Sequence, residues 1–282
     1  MKKVAVIHDL SGIGRCSLNV AISILSVLKT QPCPLPTAIL SNQTGFKSFS
    51  FLDFTPYIKE YYSHWKEIGY TFDAIYSGFL GSALQIELLT DFIKQFKTDK
   101  NLVMIDPVMG DNGKLYSIYP QDYPQHMQKL IAYADVITPN MTEFELLTGY
   151  DTSKEGINKE KFLSFGEKLA ISGPKQILIT GVIDKNRPGY LFNIGMDFKK
   201  AEYFKIETPY NHVSYSGTGD IFASVTCGYL SHGYGLKESA QIATKFIAKA
   251  IDYTTEYGRN REQVLDTNEG IMYEIFLKEL NV

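Results

Sequence analysis

Six short runs of aliphatic and β-branched residues, at 4–7, 37–40, 74–76, 102–105, 136–138 and 176–180, alternate with longer stretches whose apolar residues recur every three or four positions. A run of three to five apolar residues is the signature of a strand buried on both faces, and the longer pattern is that of an amphipathic helix. The first such helix carries Leu18, Ala21, Ile22, Leu25 and Leu28, and Pro32, Pro34 and Pro36 stop it from continuing past Lys29 without kinks. Further helices are predicted at 54–67, 83–97, 122–133, 141–148 and 159–171. Strands that alternate with helices predict an α/β fold with a mostly parallel sheet covered on both faces. After Asp184 the segments 188–193 and 201–206 are predicted to form antiparallel edge strands, with a turn around Gly195-Met196-Asp197. The last third is predicted to be helical, at 221–231 and 237–253. With no internal repeat, low-complexity tract or long linker, residues 1–282 are expected to form a single domain.

In a sheet of this kind ligands bind beyond the C-terminal ends of the strands, and polar clusters fall there: His8-Asp9, Ser41-Asn42, Ser77-Gly78, Asp106-Pro107, Thr138-Pro139-Asn140 and Thr180-Gly181. Bulk charge narrows the ligand. A formal charge of -3, with 21% charged and 44% hydrophobic residues, provides no basic block for nucleic acid or an anionic membrane, so a small-molecule substrate is expected. Cys16, Cys33 and Cys227 are odd in number, far apart and without CxxC spacing, which argues against a disulfide framework or a zinc site and fits a reducing cytoplasm. The apolar run after Lys3 is too short for a signal peptide, and no stretch approaches the roughly 20 residues of a membrane span.

Three loops carry chemistry. Ser216-Gly217-Thr218-Gly219-Asp220 leads into an apolar helix, where glycine turns and unpaired helix-start amides make an anion nest suited to a phosphoryl group. Asp220, ionised at neutral pH, stands beside it as a candidate base for an alcohol; the competing reading is a plain turn with a helix-capping aspartate. Asp106 and Asp111 share a loop shaped by Pro107 and Gly110, and paired carboxylates at this edge suggest Mg²⁺, held directly or through water, rather than only a solvated turn. Asn140, Thr142 and Glu143 open the helix at 141–148, where they serve as caps or help to organise a metal-bound triphosphate. Tyr116, just after this acidic loop, is a candidate for closing over a nucleotide.

The ordered set DPVMGD at 106–111, TPNMTE at 138–143 and SGTGD at 216–220 resembles the ribokinase-like superfamily, and within it the vitamin B6 kinases, over essentially the whole chain. The resemblance implies a three-layer α/β/α domain, commonly a homodimer, that uses ATP and Mg²⁺, with room for a monovalent cation. It implies Asp220 as catalytic base and Gly217, Thr218 and Gly219 as the anion hole. Asn140 and Glu143 match the residues that organise Mg²⁺ and the triphosphate, Asp111 the acid near the γ-phosphate, and Thr180 and Gly181 the contacts to the nucleotide phosphates. The segment 41–46 is similar to the SNHTGY-like segment of pyridoxal kinases, which carries Thr44 to the pyridine ring, with Gln43 in place of histidine. Ser77-Gly78-Phe79-Leu80-Gly81 is similar to their GYLG-like loop. Asp9 and Ser11 fall where these kinases place a substrate-contacting serine, so both are candidate substrate residues. The implied activity is phosphorylation of the primary alcohol of pyridoxal, pyridoxamine or pyridoxine.

Residues 9–14 also partly resemble the DPSGGAG-like segment of hydroxymethylpyrimidine kinases, whose GTG is usually followed by cysteine rather than by aspartate as here. Such a kinase is the nearest alternative. A dinucleotide-dependent oxidoreductase is the alternative of another class, but Gly12-x-Gly14-x-x-Ser17 lacks the third small residue, and no acid lies near 30–35 to hold a ribose. A nucleotide-binding regulator without catalysis would be expected to lack the base, and Asp220 is present.

Overall fold

Along β1 (Lys2–Ser11) Val4 and Val6 face one side of a sheet and Ala5 and Ile7 the other, and all four are buried. The same alternation recurs in each central strand of this computed structural model, which describes residues 1–261 and 265–282. After β1 come α1 (Ser17–Val27), β2 (Thr30–Leu40), β3 (Phe51–Asp53), α2 (Thr55–Glu67), β4 (Ala74–Ser77), α3 (Ala83–Phe96) and β5 (Leu102–Ile105). A small hairpin, β6 (Gly110–Asp111) and β7 (Lys114–Leu115), precedes α4 (Tyr123–Ile131), β8 (Val136–Ile137), α5 (Met141–Thr148), α6 (Thr152–Glu155) and α7 (Lys159–Ser172). The chain continues through β9 (Gln176–Ile183), β10 (Tyr190–Asp197), β11 (Glu202–Pro209), α8 (Thr218–Ser231), α9 (Leu236–Asn260) and two 3₁₀ segments, Thr267–Glu269 and Tyr273–Glu279.

Nine strands form one sheet in the order β11-β10-β9-β8-β5-β4-β1-β2-β3. The six central strands are parallel, as the alternating pattern predicted; β10 and β11 are antiparallel at one edge and β3 at the other. Apolar residues on one face pack against α1, α8 and α9, and those on the other against α2, α3, α4, α5 and α7, giving a three-layer α/β/α fold. From β1 the chain moves outward to β2 and then returns to β4 on the opposite side of β1. The loops leaving β1 and β4 therefore diverge, and this reversal of strand order is where such sheets open a ligand crevice.

The structure departs from expectation in several elements. β2 begins at Thr30, not at residue 37, and takes in Pro32, Pro34 and Pro36. These prolines are two apart, so their missing donors all point to the same side of the strand. Pairing with β1 runs from Thr30 to Pro36, whereas β3 pairs only with Ala38 to Leu40, so the donor-free side is the unpaired one. The turn joining β10 to β11 lies at 198–201, because the pairing holds from Tyr190↔Pro209 through Asp197↔Glu202, past the glycine expected to break it. β9 likewise runs through Thr180 and Gly181 to Ile183. The β6–β7 hairpin was not expected; its two-residue turn is Asn112-Gly113, both with positive φ (53° and 75°), the conformation that an Asn-Gly pair favours.

Candidate active site

Strand periodicity carries His8, two residues beyond Val6, to the face of the sheet covered by α1 and α8, and there its buried ring meets Asp220. His8 Nε2 lies 2.9 Å from Asp220 Oδ1, and the Ser17 amide donates to Asp220 Oδ2 at 2.9 Å. The Asp220 side chain, 14% exposed, is thus an anchored group in the first turn of α8 rather than a free one. On the other edge of the imidazole, Nδ1 is 3.1 Å from Asp9 Oδ1. Burial opposes a charge on His8, but the Asp220 carboxylate, aided by Asp9, outweighs it and pushes the imidazole up to about 10. The two carboxylates thus favour the protonated form of the ring against the cost of burying it.

The expectation that Asp9 and Ser11 face a substrate is not met. Both are buried; Ser11 Oγ donates to Asp9 Oδ2 at 3.0 Å, and Asp9 leans on His8. Burial would raise the Asp9 carboxyl, yet the His8 hydrogen bond and charge, with Ser17 and Ser11, hold it below the usual value. Their place is behind the histidine.

Gly217 caps α8 with φ 78° and has no side chain to offer the helix. Among the described residues, the amides of Thr218, Gly219 and Asp220 have no hydrogen-bond partner, and the first amide taken up is that of Ile221, by the Gly217 carbonyl. A helix start left open in this way presents three donors and a positive dipole end to an anion. A Cβ on Gly217 would collide with the Arg15 carbonyl, so the loop after β1 packs directly against this turn.

Asp106, the residue after β5, is buried, with Thr138 Oγ1 donating to it at 3.0 Å. Burial, and then the charge of Asp220, push its carboxyl up to about 7, so it lies within the electrostatic reach of the α8 turn. Asn140 and Glu143 form a reciprocal cap on α5, with Glu143 N–H donating to Asn140 Oδ1 at 2.9 Å and Asn140 N–H to Glu143 Oε2 at 2.8 Å. They also grip the acidic loop. Glu143 Oε1 accepts from Met109 N–H at 3.0 Å, and Asn140 Nδ2 donates to the Gly110 carbonyl at 2.8 Å. Burial and Asp106 push the Glu143 carboxyl well up, against the backbone amides of Asn140, Met109 and Gly110.

Asp111 is exposed on the hairpin, where it accepts from the Asn112 amide at 2.8 Å, and Gly113 N–H donates to Thr142 Oγ1 at 2.8 Å. Tyr116, 40% exposed, lies in the combined field of Glu143, Asp111, Asp220 and Asp106, which places the three sequence loops around one region. Asp106, Asp111, Asn140 and Glu143 were expected to hold Mg²⁺ directly or through water, and Glu143 and Asn140 are engaged with the backbone of this loop. Both Glu143 oxygens already accept backbone N–H groups, and among the described residues no group of three or more His, Cys, Asp or Glu could hold a metal ion.

Thr180 joins this edge through its amide, which donates to the Pro139 carbonyl at 2.9 Å. Gly181, expected with Thr180 to contact the nucleotide phosphates, has φ 67° and its N–H donates to Asn193 Oδ1 at 3.2 Å. Thr44 is exposed on the loop after β2. Beside it, buried Gln43 accepts from Gly45 N–H at 2.7 Å and donates to the Asn268 carbonyl at 3.0 Å, which ties that loop to the 3₁₀ segment. Sequence reasoning placed His8 at the ligand-binding edge but gave it no role, and it did not place Ser17 in the site. The signal for His8 was its parity with Val4 and Val6; Ser17 acts through its backbone and gave none.

Comparison with known proteins shows the family of the chain. Residues 26–265 match the family model described as phosphomethylpyrimidine kinase. A hydroxymethylpyrimidine/phosphomethylpyrimidine kinase of Staphylococcus aureus is 34% identical over 199 residues, covering 68% of this chain and 67% of that protein. A Bacteroides thetaiotaomicron protein described as a phosphomethylpyrimidine kinase and crystallised with pyridoxal is 41% identical, covering 99% of this chain and 95% of that one with a TM-score of 0.92. Pyridoxal kinase from Lactobacillus plantarum superposes with a TM-score of 0.86 at 28% identity, over 99% of this chain and 96% of that one. The chain belongs to the phosphomethylpyrimidine kinase family, within the ribokinase-like kinases that also include the pyridoxal kinases.

Proposed function

We propose that this kinase transfers the γ-phosphoryl group of ATP to the primary hydroxyl of a vitamin B6 vitamer, with Asp220 as the base. The observation that carries the reading is a clamped carboxylate in the first turn of an uncapped helix: Asp220 lies beside the partnerless amides of Thr218 and Gly219. In the transfer, the acceptor O–H bond breaks, its proton passes to Asp220, the oxygen bonds to phosphorus and ADP leaves. The amides of Thr218, Gly219 and Asp220 would stabilise charge on the transferring phosphoryl group, where positioning and electrostatics do most of the work. Mg²⁺, when bound, would supply neutralisation of polyphosphate charge, and among the described residues no group of three or more His, Cys, Asp or Glu forms a cage for it. The assembly that goes with this reading is a homodimer.

The vitamer reading is supported by the aspartate after GTG and by the pyridoxal-bound Bacteroides relative. The second reading, hydroxymethylpyrimidine as acceptor, is favoured by the family description and by the Staphylococcus aureus relative. ADP release with pyridoxal, pyridoxamine, pyridoxine and hydroxymethylpyrimidine decides between them. Highest kcat/KM on a B6 vitamer is expected, and highest kcat/KM on the pyrimidine overturns the substrate assignment. Asp220→Ala should keep ATP binding and lose about 10²- to 10⁴-fold in turnover.

A further inference from the structure

Two groups hold the Asp220 carboxylate, one on each oxygen. His8 Nε2 is 2.9 Å from Oδ1 and the Ser17 amide is 2.9 Å from Oδ2. Both are built at some conformational cost. Ser17 has a φ of 55°, a left-handed conformation unfavourable for a residue with a side chain, and it is the residue whose amide reaches the carboxylate. Opposite the ring, a Cβ on Gly78 would overlap the His8 imidazole, so the loop after β4 must have glycine for the ring to sit where it does. On the far edge of the ring, Nδ1 is 3.1 Å from Asp9 Oδ1 and is approached by the amides of Asp9 at 3.1 Å and Phe79 at 3.2 Å.

We propose that His8 and the Ser17 amide form a two-point clamp that fixes the plane of the Asp220 carboxylate, with His8 the positioning residue for the base. This rests on the kinase reading above. The Nε2 proton is present in either ring state: in the neutral ring the amides directed at Nδ1 leave the proton on Nε2, and in the imidazolium both nitrogens carry one. A carboxylate has about four acceptor sites, so each clamped oxygen keeps a lone pair for the acceptor hydroxyl. Without the clamp, the terminal torsion of Asp is broad and two-fold, and the reactive lone pair would be found only part of the time in line with the substrate. During transfer the substrate proton goes to Asp220 and His8 keeps its own.

Removing His8 also removes the donor on Asp220 Oδ1 and leaves the Ser17 amide on Oδ2 as the remaining anchor. The titratable groups facing this pair are Asp9, Asp106, Cys16 and Tyr76. The test uses the full chain with His8→Leu, which deletes the donor, and His8→Gln, which keeps a neutral donor. We expect His8→Leu to lower kcat by about 10- to 100-fold, the scale of a displaced catalytic group, with KM for ATP little changed. His8→Gln should recover most of kcat. Unchanged kcat in His8→Leu, or equal losses of kcat in both variants, would overturn the clamp.

An NMR arm is independent of turnover. In the free protein, the His8 imidazole nitrogen signals should stay those of a protonated Nε2 through neutral pH and move on Asp220→Asn. Signals that do not respond to Asp220→Asn remove the contact, even should His8→Leu fail to fold. If the wild-type chain phosphorylates none of the candidate alcohols, the kinase reading falls while the NMR result still decides whether His8 holds Asp220.

Discussion

At the scale of single residues, the site is set by what its neighbours forbid. Gly217 needs its left-handed backbone and has the Arg15 carbonyl where a side chain would go. Gly217→Ala is expected to cost about 1–3 kcal/mol of stability through overpacking and to lower turnover together with ATP binding, as read by urea unfolding and ATP titration. Glu143 was expected to organise a metal, and the structure gives it a mechanical task as well: its carboxylate holds the Met109 and Asn140 amides, and so the acidic loop, to the start of α5. In Glu143→Gln one oxygen becomes an NH₂ group facing a backbone donor. A loss of about 1–3 kcal/mol in unfolding free energy is expected, whether or not Mg²⁺ is present. An effect confined to the Mg²⁺ titration would restore the metal assignment.

Single elements explain where sequence patterns misled. Three prolines in eleven residues argue against a central strand, yet β2 accommodates them because their spacing of two puts every missing donor on its unpaired side. Gly195 resembled a turn residue, but in β10 a Cβ at this position would overlap the Phe204 ring of β11; glycine there makes room for a neighbour instead. The actual turn places exposed Ala201 at φ 51°. Ala201→Gly should therefore stabilise the protein by about 0.5–1 kcal/mol, the relief of left-handed strain less the extra freedom of glycine in the unfolded chain. A urea midpoint that rises without a change in slope checks it.

At the scale of the whole molecule, the buried charges make stability depend on pH. The His8 imidazole, ordinarily near 6.5, is held at about 10 in the folded state, so its contribution is fully present below 6.5 and is lost as pH rises through 10. Asp106, raised from 3.8 to about 7, acts in the same direction at lower pH, because the folded state again binds the extra proton. Stability should fall between pH 7 and 9.5, with a slope of at most about 1.4 kcal/mol per pH unit from His8 alone. Urea midpoints at the two pH values measure it, and His8→Gln should flatten the difference.

The order of strands and helices, the parallel sheet and the three chemical loops were legible in the sequence, because burial on two faces and amphipathic periodicity are local properties of the chain. The helices at 54–67, 83–97 and 141–148 were each placed to within a residue or so of their observed limits. Partnership was not legible. Nothing local says that His8 and Ser17 meet a residue more than 200 positions away, or that Asp9 and Ser11 turn inward to support the ring. Those facts depend on the return of the chain from β2 across β1 to β4 and on the packing of α8 over that crossing, and only the tertiary fold contains them.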